Sequence, residues 1–304
     1  NGLASVIPYN YILIYVTPPD SDSSLDHYKD YLRLLFNHEL THIVHIDIHS
    51  RFSSPARWLF GRVVAPNGAT PAWMREGMAV YEESQLDKRF GRNNSDYGEM
   101  ILRTAYFDNT FPRIDQIAGL TVHAPGGAGP YTYGGRFYKF LAEKYGEDRM
   151  YKYQKEFASG LWLFSLNNKA RRVYGKSYYK LWDEFKNDLG QKFEQVKAGV
   201  EGKGLTQFED VVNNKDSQRY YVLRPNSDGY AYYQSGFDES VMIVIKPDSK
   251  SEEIHIKRKL FGQMSFSKTG RYLAFSTLAA VEPKTSHAEV YYYYLEKKAN
   301  RIYF

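Results

Sequence analysis

The sequence contains no cysteine among its 304 residues, which excludes a disulfide framework and thiol-based catalysis. It also has no apolar run that approaches the ~18 residues of a membrane-spanning helix, so we expect no membrane span. Lysine and arginine form no cluster as dense as a nucleic-acid-binding patch, although the net charge is +5. We therefore expect no nucleic-acid partner.

The remaining composition is typical of a soluble globular protein, with 43% hydrophobic and 25% charged residues. A chain of this length predicts roughly two domains. It begins at Asn1 without a methionine, so we expect that a leader or an upstream segment has been removed.

Residues 38–42 read HELTH, an HExxH pattern, within the run 31–47. Apolar residues recur in this run mostly at three- and four-residue spacings, which predicts an α-helix. Residues i and i+4 share one helical face, so His38 and His42 can hold one zinc ion. Glu39 lies beside the metal, where it can accept a proton from a zinc-bound water. A chance match on a core helix is the competing interpretation.

A catalytic zinc typically takes three protein ligands, so a third ligand is needed. The segment 71–83, PAWMREGMAVYEE, predicts a second helix that supplies Glu76 for this role. Thr70 is predicted to cap this helix, and Pro71 suits its first turn. Glu83 lies two turns beyond Glu76 on the same face and is predicted to accept the free N–H of a ligating imidazole.

The two motifs in this order resemble those of the gluzincin metallopeptidases, and the closest pattern is that of the peptidase MA-like family. In these families the Glu of a W-x-x-E-G-x-A-x-Y run is the third zinc ligand, and Glu76 matches it. The resemblance covers about residues 2–190 and implies a mostly helical, thermolysin-like domain with an N-terminal sheet. Glu76 follows His42 at a wider separation than in compact family members, so we expect an extra loop, 50–69, near the site.

A tyrosine is the predicted stabiliser of the developing oxyanion. Residues 123–130 have the composition of a loop, and a helix is predicted from residue 131 to Gly146. This helix start resembles the Tyr-x-x-Gly run that carries the catalytic tyrosine in related gluzincins, which matches Tyr131. A phenol stays protonated near neutral pH and can donate a hydrogen bond to negative charge. Tyr133 and His123 are the alternatives.

Other segments of the first 200 residues have clear patterns. Residues 11–16, YILIYV, predict a strand, either an ordinary one or a sheet edge along which an extended peptide substrate pairs. A helix is predicted over 95–108. Two more are predicted within 162–200, the second capped by Ser177.

The chain changes character after residue 200. Residues 201–217 are polar and rich in Gly, Asn and Lys, which suits a linker. Strand patterns dominate 218–304, where SDGYAYY and KTGRYLAF each place a turn before an alternating strand. Gly229 and Gly270 in these copies are separated by a propeller-blade period, and the second copy resembles the blade motif of TolB-like propellers. A plain meander sheet is the alternative.

Two blades cannot close a β-propeller, which typically takes about four to eight. We therefore expect an incomplete propeller whose strand edges are exposed. It would belong to a longer protein, or its edges would pair with another copy or a protein partner. The predicted fold class is α+β, with a zinc peptidase domain over 1–200 and the partial propeller over 218–304.

The predicted function is zinc-dependent hydrolysis of a peptide or protein substrate, with one zinc ion as cofactor. One alternative is a catalytically weak or vestigial zinc domain that serves, with the propeller, as a protein-interaction module. Another is a structural zinc site, which would need a fourth protein ligand from His45, His49 or His123. His45 is expected on the helix surface. The absence of cysteine, the missing leader and the TolB-like repeat favour export to a periplasm.

Overall fold

The computed structural model describes residues 2–16, 25, 28, 30–87, 90–119, 125–160, 165–204, 206–207, 217–235, 241–258, 260, 262–282, 285–297 and 299–303. The chain divides into two compact units, with the boundary between Thr206 and Gln207. Helices dominate the first unit and antiparallel sheets the second. The mixed α and β composition predicted from the sequence is confirmed at this level.

The described part of the first unit contains eight α-helices and one two-stranded antiparallel sheet. The strands are β1 (Gly2–Ser5) and β2 (Tyr11–Ile14). The helices are α1 (Tyr31–Ile46), α2 (Ser53–Phe60), α3 (Ala72–Glu83), α4 (Asp96–Phe107), α5 (Gly129–Tyr145), α6 (Glu147–Ala158), α7 (Leu166–Tyr174) and α8 (Tyr178–Glu201). None of these helices combines the length and apolar character that a membrane crossing requires.

Helix starts follow local capping chemistry. The carboxylate of Asp30 accepts a hydrogen bond from the backbone N–H of Arg33 at 3.3 Å, so α1 begins at Tyr31. Ser177 caps α8 as predicted, because its hydroxyl accepts from the N–H of Lys180. The predicted Thr70 cap of α3 is wrong. The hydroxyl of Thr70 donates instead to the carbonyl of Asn67 at 2.7 Å, and α3 starts without a side-chain cap.

The segment 50–69 was predicted as a loop, but it contains α2 and two 3-10 turns. Ser53 is the only side chain of α2 that is buried, and Trp58 is 87% exposed. Polar contacts fix the segment instead: Arg57 pairs with Asp47, and the amide of Asn67 donates to the carbonyl of His45 at 2.9 Å. The sequence pattern concealed this helix because it has no buried apolar face.

The core of the first unit lies between α3, α5 and α8 and is rich in aromatic side chains. The ring of Phe137 on α5 contacts Trp73 on α3 and Trp182 on α8, with centroids 5.5 and 5.0 Å apart. The indole N–H of Trp182 donates to the carbonyl of Pro112 at 2.9 Å, which satisfies its one polar atom. This core fixes α3 and α5, the two helices that line the site together with α1.

The second unit contains two four-stranded antiparallel sheets. The first has the order β3 (Ser217–Leu223), β4 (Tyr230–Ser235), β5 (Met242–Lys246), β6 (Ile254–Ile256). The second consists of β7 (Ser265–Phe266), β8 (Tyr272–Glu282), β9 (Thr285–Tyr294) and β10 (Ala299–Tyr303), again with sequential neighbours. Each sheet is thus a meander, and one shared apolar cluster joins them. The described residues form no closed barrel or propeller.

The two sequence copies occupy equivalent positions in these sheets. Each turn precedes the second strand of its meander, β4 or β8. Arg224 links the two turns, because its guanidinium donates at 2.8 Å to the carbonyl of Gly270 and at 2.8 Å to that of Pro247. Gly270 has φ +66°, and an added Cβ would lie 2.8 Å from the Pro225 carbonyl oxygen.

Candidate metal centre

Helix α1 carries the first two predicted ligands. Its buried side chains, which include Leu34, Leu35 and Ile43, hold it against the rest of the unit. His38 and His42 lie one turn apart, with ring centroids 4.7 Å apart and planes perpendicular. Their Nε2 atoms are separated by 3.2 Å, so both lone pairs converge on one point.

Helix α3 brings Glu76 to the same point. Its Oε2 atom lies 3.2 Å from Nε2 of His38 and 3.2 Å from Nε2 of His42. Donor atoms held at ~2.0–2.1 Å from a tetrahedral zinc are about 3.3 Å apart, so this triangle matches one face of such a site. The three side chains could therefore hold a metal ion.

The triangle is open on one side. His38 is buried, whereas the side chains of His42 and Glu76 keep 11% and 19% of their surface exposed. Burial opposes it, but the imidazoles of His38 and His42 beside the carboxylate hold the pKa of Glu76 well below its usual range. Glu76 is therefore a carboxylate at neutral pH, the form that binds a cation.

Glu83 lies behind the ligands, at the end of α3. It is fully buried, and its Oε2 atom accepts the Nδ1–H of His38 at 3.0 Å. Burial raises its pKa, but Arg92 outweighs this effect and lowers it to about 2. A permanent carboxylate at Nδ1 keeps the proton there and leaves Nε2 free to bind metal. The structure thus brings Glu83 into contact with His38, and its role behind a bound metal stays a prediction.

Glu39 follows the first ligand on α1 and is also buried. Burial raises the pKa of its carboxyl group, the charges of His38 and His42 oppose this, and Glu76 adds to it. The backbone of β1 passes directly over this side chain. A Cβ added to Gly2 would lie 2.6 Å from Oε1 of Glu39, so a larger residue there would have to displace this carboxylate.

Tyr131 lies in the first turn of α5, close to the ligands. Its ring stacks on that of His38, with centroids 5.8 Å apart and planes inclined by 25°. Burial, followed by the charge of Glu76 and a hydrogen bond to it, raises the pKa of the Tyr131 phenol to about 12. Tyr131 therefore keeps its proton at neutral pH beside the point on which the three donor atoms converge.

Tyr133, the alternative to Tyr131, belongs to the core instead. It is 1% exposed, and its ring lies edge-on to Phe111 at 5.1 Å and contacts Trp182 at 6.3 Å. Burial alone raises the pKa of its phenol to about 12, with no contribution from a nearby charge. His123, the other alternative, lies outside the described residues.

The remaining histidines near α1 do not join the triangle. His45 was expected on the helix surface, but it is buried: its Nε2–H donates to the amide oxygen of Gln154 at 2.7 Å. The helix is covered there by α6, which the sequence analysis did not predict. His49 contacts the carbonyl of Asp47 through Nδ1 at 2.8 Å. Within the described residues, the group that could hold a metal ion thus consists of three side chains.

Two contributors to the site were missed from the sequence. Gly2 shapes the contact with Glu39, and Arg92 contacts both Glu83 and Tyr131. Neither residue belongs to a recognisable motif. The spacing between Glu83 and Arg92 follows no helical period, so only the path of the intervening chain brings them together.

Comparison with known proteins gives one relevant relative. The chain is 26% identical over 274 residues to an uncharacterized protein of Treponema pallidum (strain Nichols). The match covers 88% of this chain and 22% of that protein, so this chain spans about a fifth of the relative's length. No protein-family model matches the chain. No solved structure matches it either. The relative has no stated activity, so function must be argued from the site.

Proposed function

We propose that this protein is a zinc-dependent hydrolase of peptide bonds with a gluzincin-type site. The observation that carries the proposal is the convergence of the His38, His42 and Glu76 donor atoms beside the buried carboxyl group of Glu39. Metal binding alone has no need of Glu39, whereas hydrolysis requires a base at that place. Within the part of the chain that the structure describes, three such side chains converge rather than four, which also favours a catalytic over a structural site.

Each side chain then has a chemical task. Bound zinc would supply Lewis acidity and lower the pKa of a coordinated water towards ~7. Burial raises the pKa of Glu39 towards neutral pH, which suits a group that takes up and releases a proton. Glu39 accepts a proton from the attacking water and transfers it to the nitrogen of the leaving amine. The phenol of Tyr131 donates a hydrogen bond to the oxygen on which negative charge develops.

The strand pair β1–β2 supports a peptide as the substrate class. Each strand has one partner within the described residues, and the pair packs on α1. An extended peptide can pair with a free strand edge through its backbone, which gives affinity with little demand on sequence. Length and residue preference of the substrate would follow from a peptide-library profile.

We further propose that the two meanders of the second unit are blades of a propeller-like domain. Sequential antiparallel order in both sheets and their shared apolar cluster support this. Pairing of their edges with a second copy or a protein partner stays a prediction, as do export to a periplasm and the alternative of a vestigial zinc domain.

The function is tested by measuring zinc content and hydrolysis of a mixed-peptide library, with and without a chelator. Glu39→Gln should retain zinc and lose turnover by about 10²–10⁴-fold, the usual contribution of a general base. Glu143→Gln, an exposed carboxylate change on α5, serves as the control and should behave like the parent. If Glu39→Gln cleaved peptides as well as the parent, the proposed mechanism would fail.

A further inference from the structure

Arg92 lies in a 3-10 turn, Arg92–Asn94, that folds back on the end of α3. The preceding Gly91 has φ +88°, and a Cβ there would lie 2.4 Å from Cα of Ser84, so glycine permits this close return. The N–H of Asn93 donates to the hydroxyl of Ser84 at 3.1 Å, and its side-chain amide donates to the carbonyl of Gly135 at 2.9 Å. Asn93, next to Arg92, thus ties the turn to the C-terminal end of α3 and to α5.

Arg92 holds Glu83 with three donors. Its backbone N–H and its Nε–H donate to Oε1 at 3.1 and 2.8 Å, and Nη2 donates to Oε2 at 2.8 Å. A planar guanidinium binds a carboxylate at two points and thereby fixes its orientation as well as its charge. Because Glu83 is fully buried, the loss of these donors would leave its charge poorly compensated.

The same carboxylate oxygen orients His38. Oε2 of Glu83 accepts from Nη2 of Arg92 and from Nδ1 of His38, and these two nitrogens lie 2.7 Å apart. In the tautomer that leaves Nε2 of His38 free for a metal, both nitrogens carry protons and both donate to Glu83. A rotation of the carboxylate would therefore turn the imidazole, and with it the Nε2 lone pair in the metal triangle.

Arg92 also contacts Tyr131. Its guanidinium carbon lies 4.9 Å from the centroid of the Tyr131 ring, a distance typical of cation–π contact. That ring also stacks on His38. The Arg92 guanidinium thus contacts both Glu83, the hydrogen-bond partner of His38, and Tyr131, the proposed oxyanion donor.

We propose that Arg92 is a positioning residue that sets the orientation of the metal ligand His38 through Glu83 and the place of Tyr131 through its ring. The effect on turnover rests on the proposed function. The effect on metal binding does not, because it follows from the Arg92–Glu83–His38 contacts alone.

The test compares Arg92→Ala and Arg92→Lys with the parent. Loss of an outer partner of a metal ligand typically costs ~10–100-fold in metal affinity, so zinc affinity, measured by competition with a chromogenic chelator, should fall by that factor in Arg92→Ala. Arg92→Lys keeps the charge without the fork and should show an intermediate loss. If Arg92→Ala does not fold, the zinc affinity of Arg92→Lys provides the test. Turnover should fall through kcat rather than KM, since the Arg92 side chain contacts Glu83 and Tyr131, whose proposed roles are in the chemical step.

Chemical rescue distinguishes positioning from general stability. Methylguanidinium added to Arg92→Ala should restore part of both zinc affinity and kcat. Arg57→Ala is the matched control: Arg57 also pairs with a carboxylate, Asp47, at 10% exposure, but contacts no metal-site residue. It should retain the zinc affinity of the parent, with or without methylguanidinium.

The outcomes separate the two proposals. A parent that binds zinc but cleaves no peptide would overturn the proposed function, while a weaker zinc affinity of Arg92→Ala would still support the role of Arg92. Parental zinc affinity in both Arg92 variants would overturn the positioning role, whatever the hydrolytic activity.

Discussion

Gly77 on α3 and Gly134 on α5 face each other where the two helices cross. A Cβ added to Gly77 would lie 2.5 Å from the carbonyl carbon of Gly134, and one added to Gly134 would lie 2.6 Å from the carbonyl oxygen of Trp73. Both glycines thus allow backbone-to-backbone contact. This crossing lies one residue beyond Glu76 and three residues beyond Tyr131, so it sets the distance between the Glu76 carboxylate and the Tyr131 phenol.

Gly134→Ala should therefore separate α3 from α5. Overpacking of a tight contact costs typically about 1–3 kcal/mol, so the free energy of unfolding should fall by that amount in a urea titration. Tyr131 would move with α5, and a displacement of ~1 Å at an active site can cost about 100-fold in turnover. Peptide hydrolysis should fall accordingly, while His38 and His42 still bind zinc.

The control is Gly199→Ala. Gly199 lies in the last turn of α8, and no atom lies within 4 Å of an added Cβ. Alanine favours helix over glycine by about 1 kcal/mol, so this variant should be as stable as the parent or more so. Unchanged stability and turnover in Gly134→Ala would show that the helices tolerate the methyl group and that the crossing does not set the site.

The sequence was sufficient for those parts of the site that lie on single helices. HELTH places two imidazoles on one face, and the α3 motif places Glu76 and Glu83 two turns apart, because helical geometry is local. The start of α5 next to Tyr131 was also predictable from its Gly- and Pro-rich entry.

The contacts between distant segments could not be predicted in the same way. Burial of His45 depends on Gln154 in α6, which is remote in sequence. Arg92 reaches Glu83 through an irregular turn, and Gly2 reaches Glu39 from a separate strand. These relationships depend on tertiary packing, for which periodicity carries no signal.

Substitution of Gly2 tests the contact between β1 and Glu39. The nearest atoms to an added Cβ belong to the flexible Glu39 side chain, so Gly2→Ala should displace that carboxylate rather than the backbone. We expect kcat to fall by up to about 100-fold, the scale of a ~1 Å misplacement, with zinc affinity unchanged.

Leu3→Ala is the companion variant, because neighbouring residues of a strand point to opposite faces. Leu3 is exposed on β1 and its truncation should leave kcat at the parental value. Equal losses of kcat in both variants would indicate a general effect of the strand and contradict a specific contact of Gly2 with Glu39.

The buried His45 predicts a pH dependence of stability. Burial lowers the pKa of its imidazole from 6.5 to about 4 in the folded protein, so the unfolded chain takes up the proton first as the pH falls. The contribution of the neutral ring to the free energy of unfolding is complete above pH 6.5 and is lost between pH 6.5 and 4. Linkage gives about 1.4 kcal/mol per pH unit, or roughly 3 kcal/mol in total.

His45→Gln removes this titration. Measured by urea unfolding of the zinc-free protein, the difference in free energy of unfolding between parent and variant should shrink or change sign as the pH falls through that range. A pH-independent difference for His45→Gln would show that the ring is not held neutral.

Tyr131 and Tyr133 can be distinguished by removal of single hydroxyl groups. Tyr131 stacks on His38, whereas Tyr133 packs against Phe111 and Trp182 in the core. Loss of one donor to a developing oxyanion typically costs about 10²–10³-fold in kcat, so Tyr131→Phe should lose turnover by that factor and retain zinc. Tyr133→Phe should keep the kcat of the parent, because its hydroxyl does not lie at the site. Steady-state kinetics with one peptide, alongside zinc content, measures both effects. A fully active Tyr131→Phe with an inactive Tyr133→Phe would move the role of oxyanion donor to Tyr133.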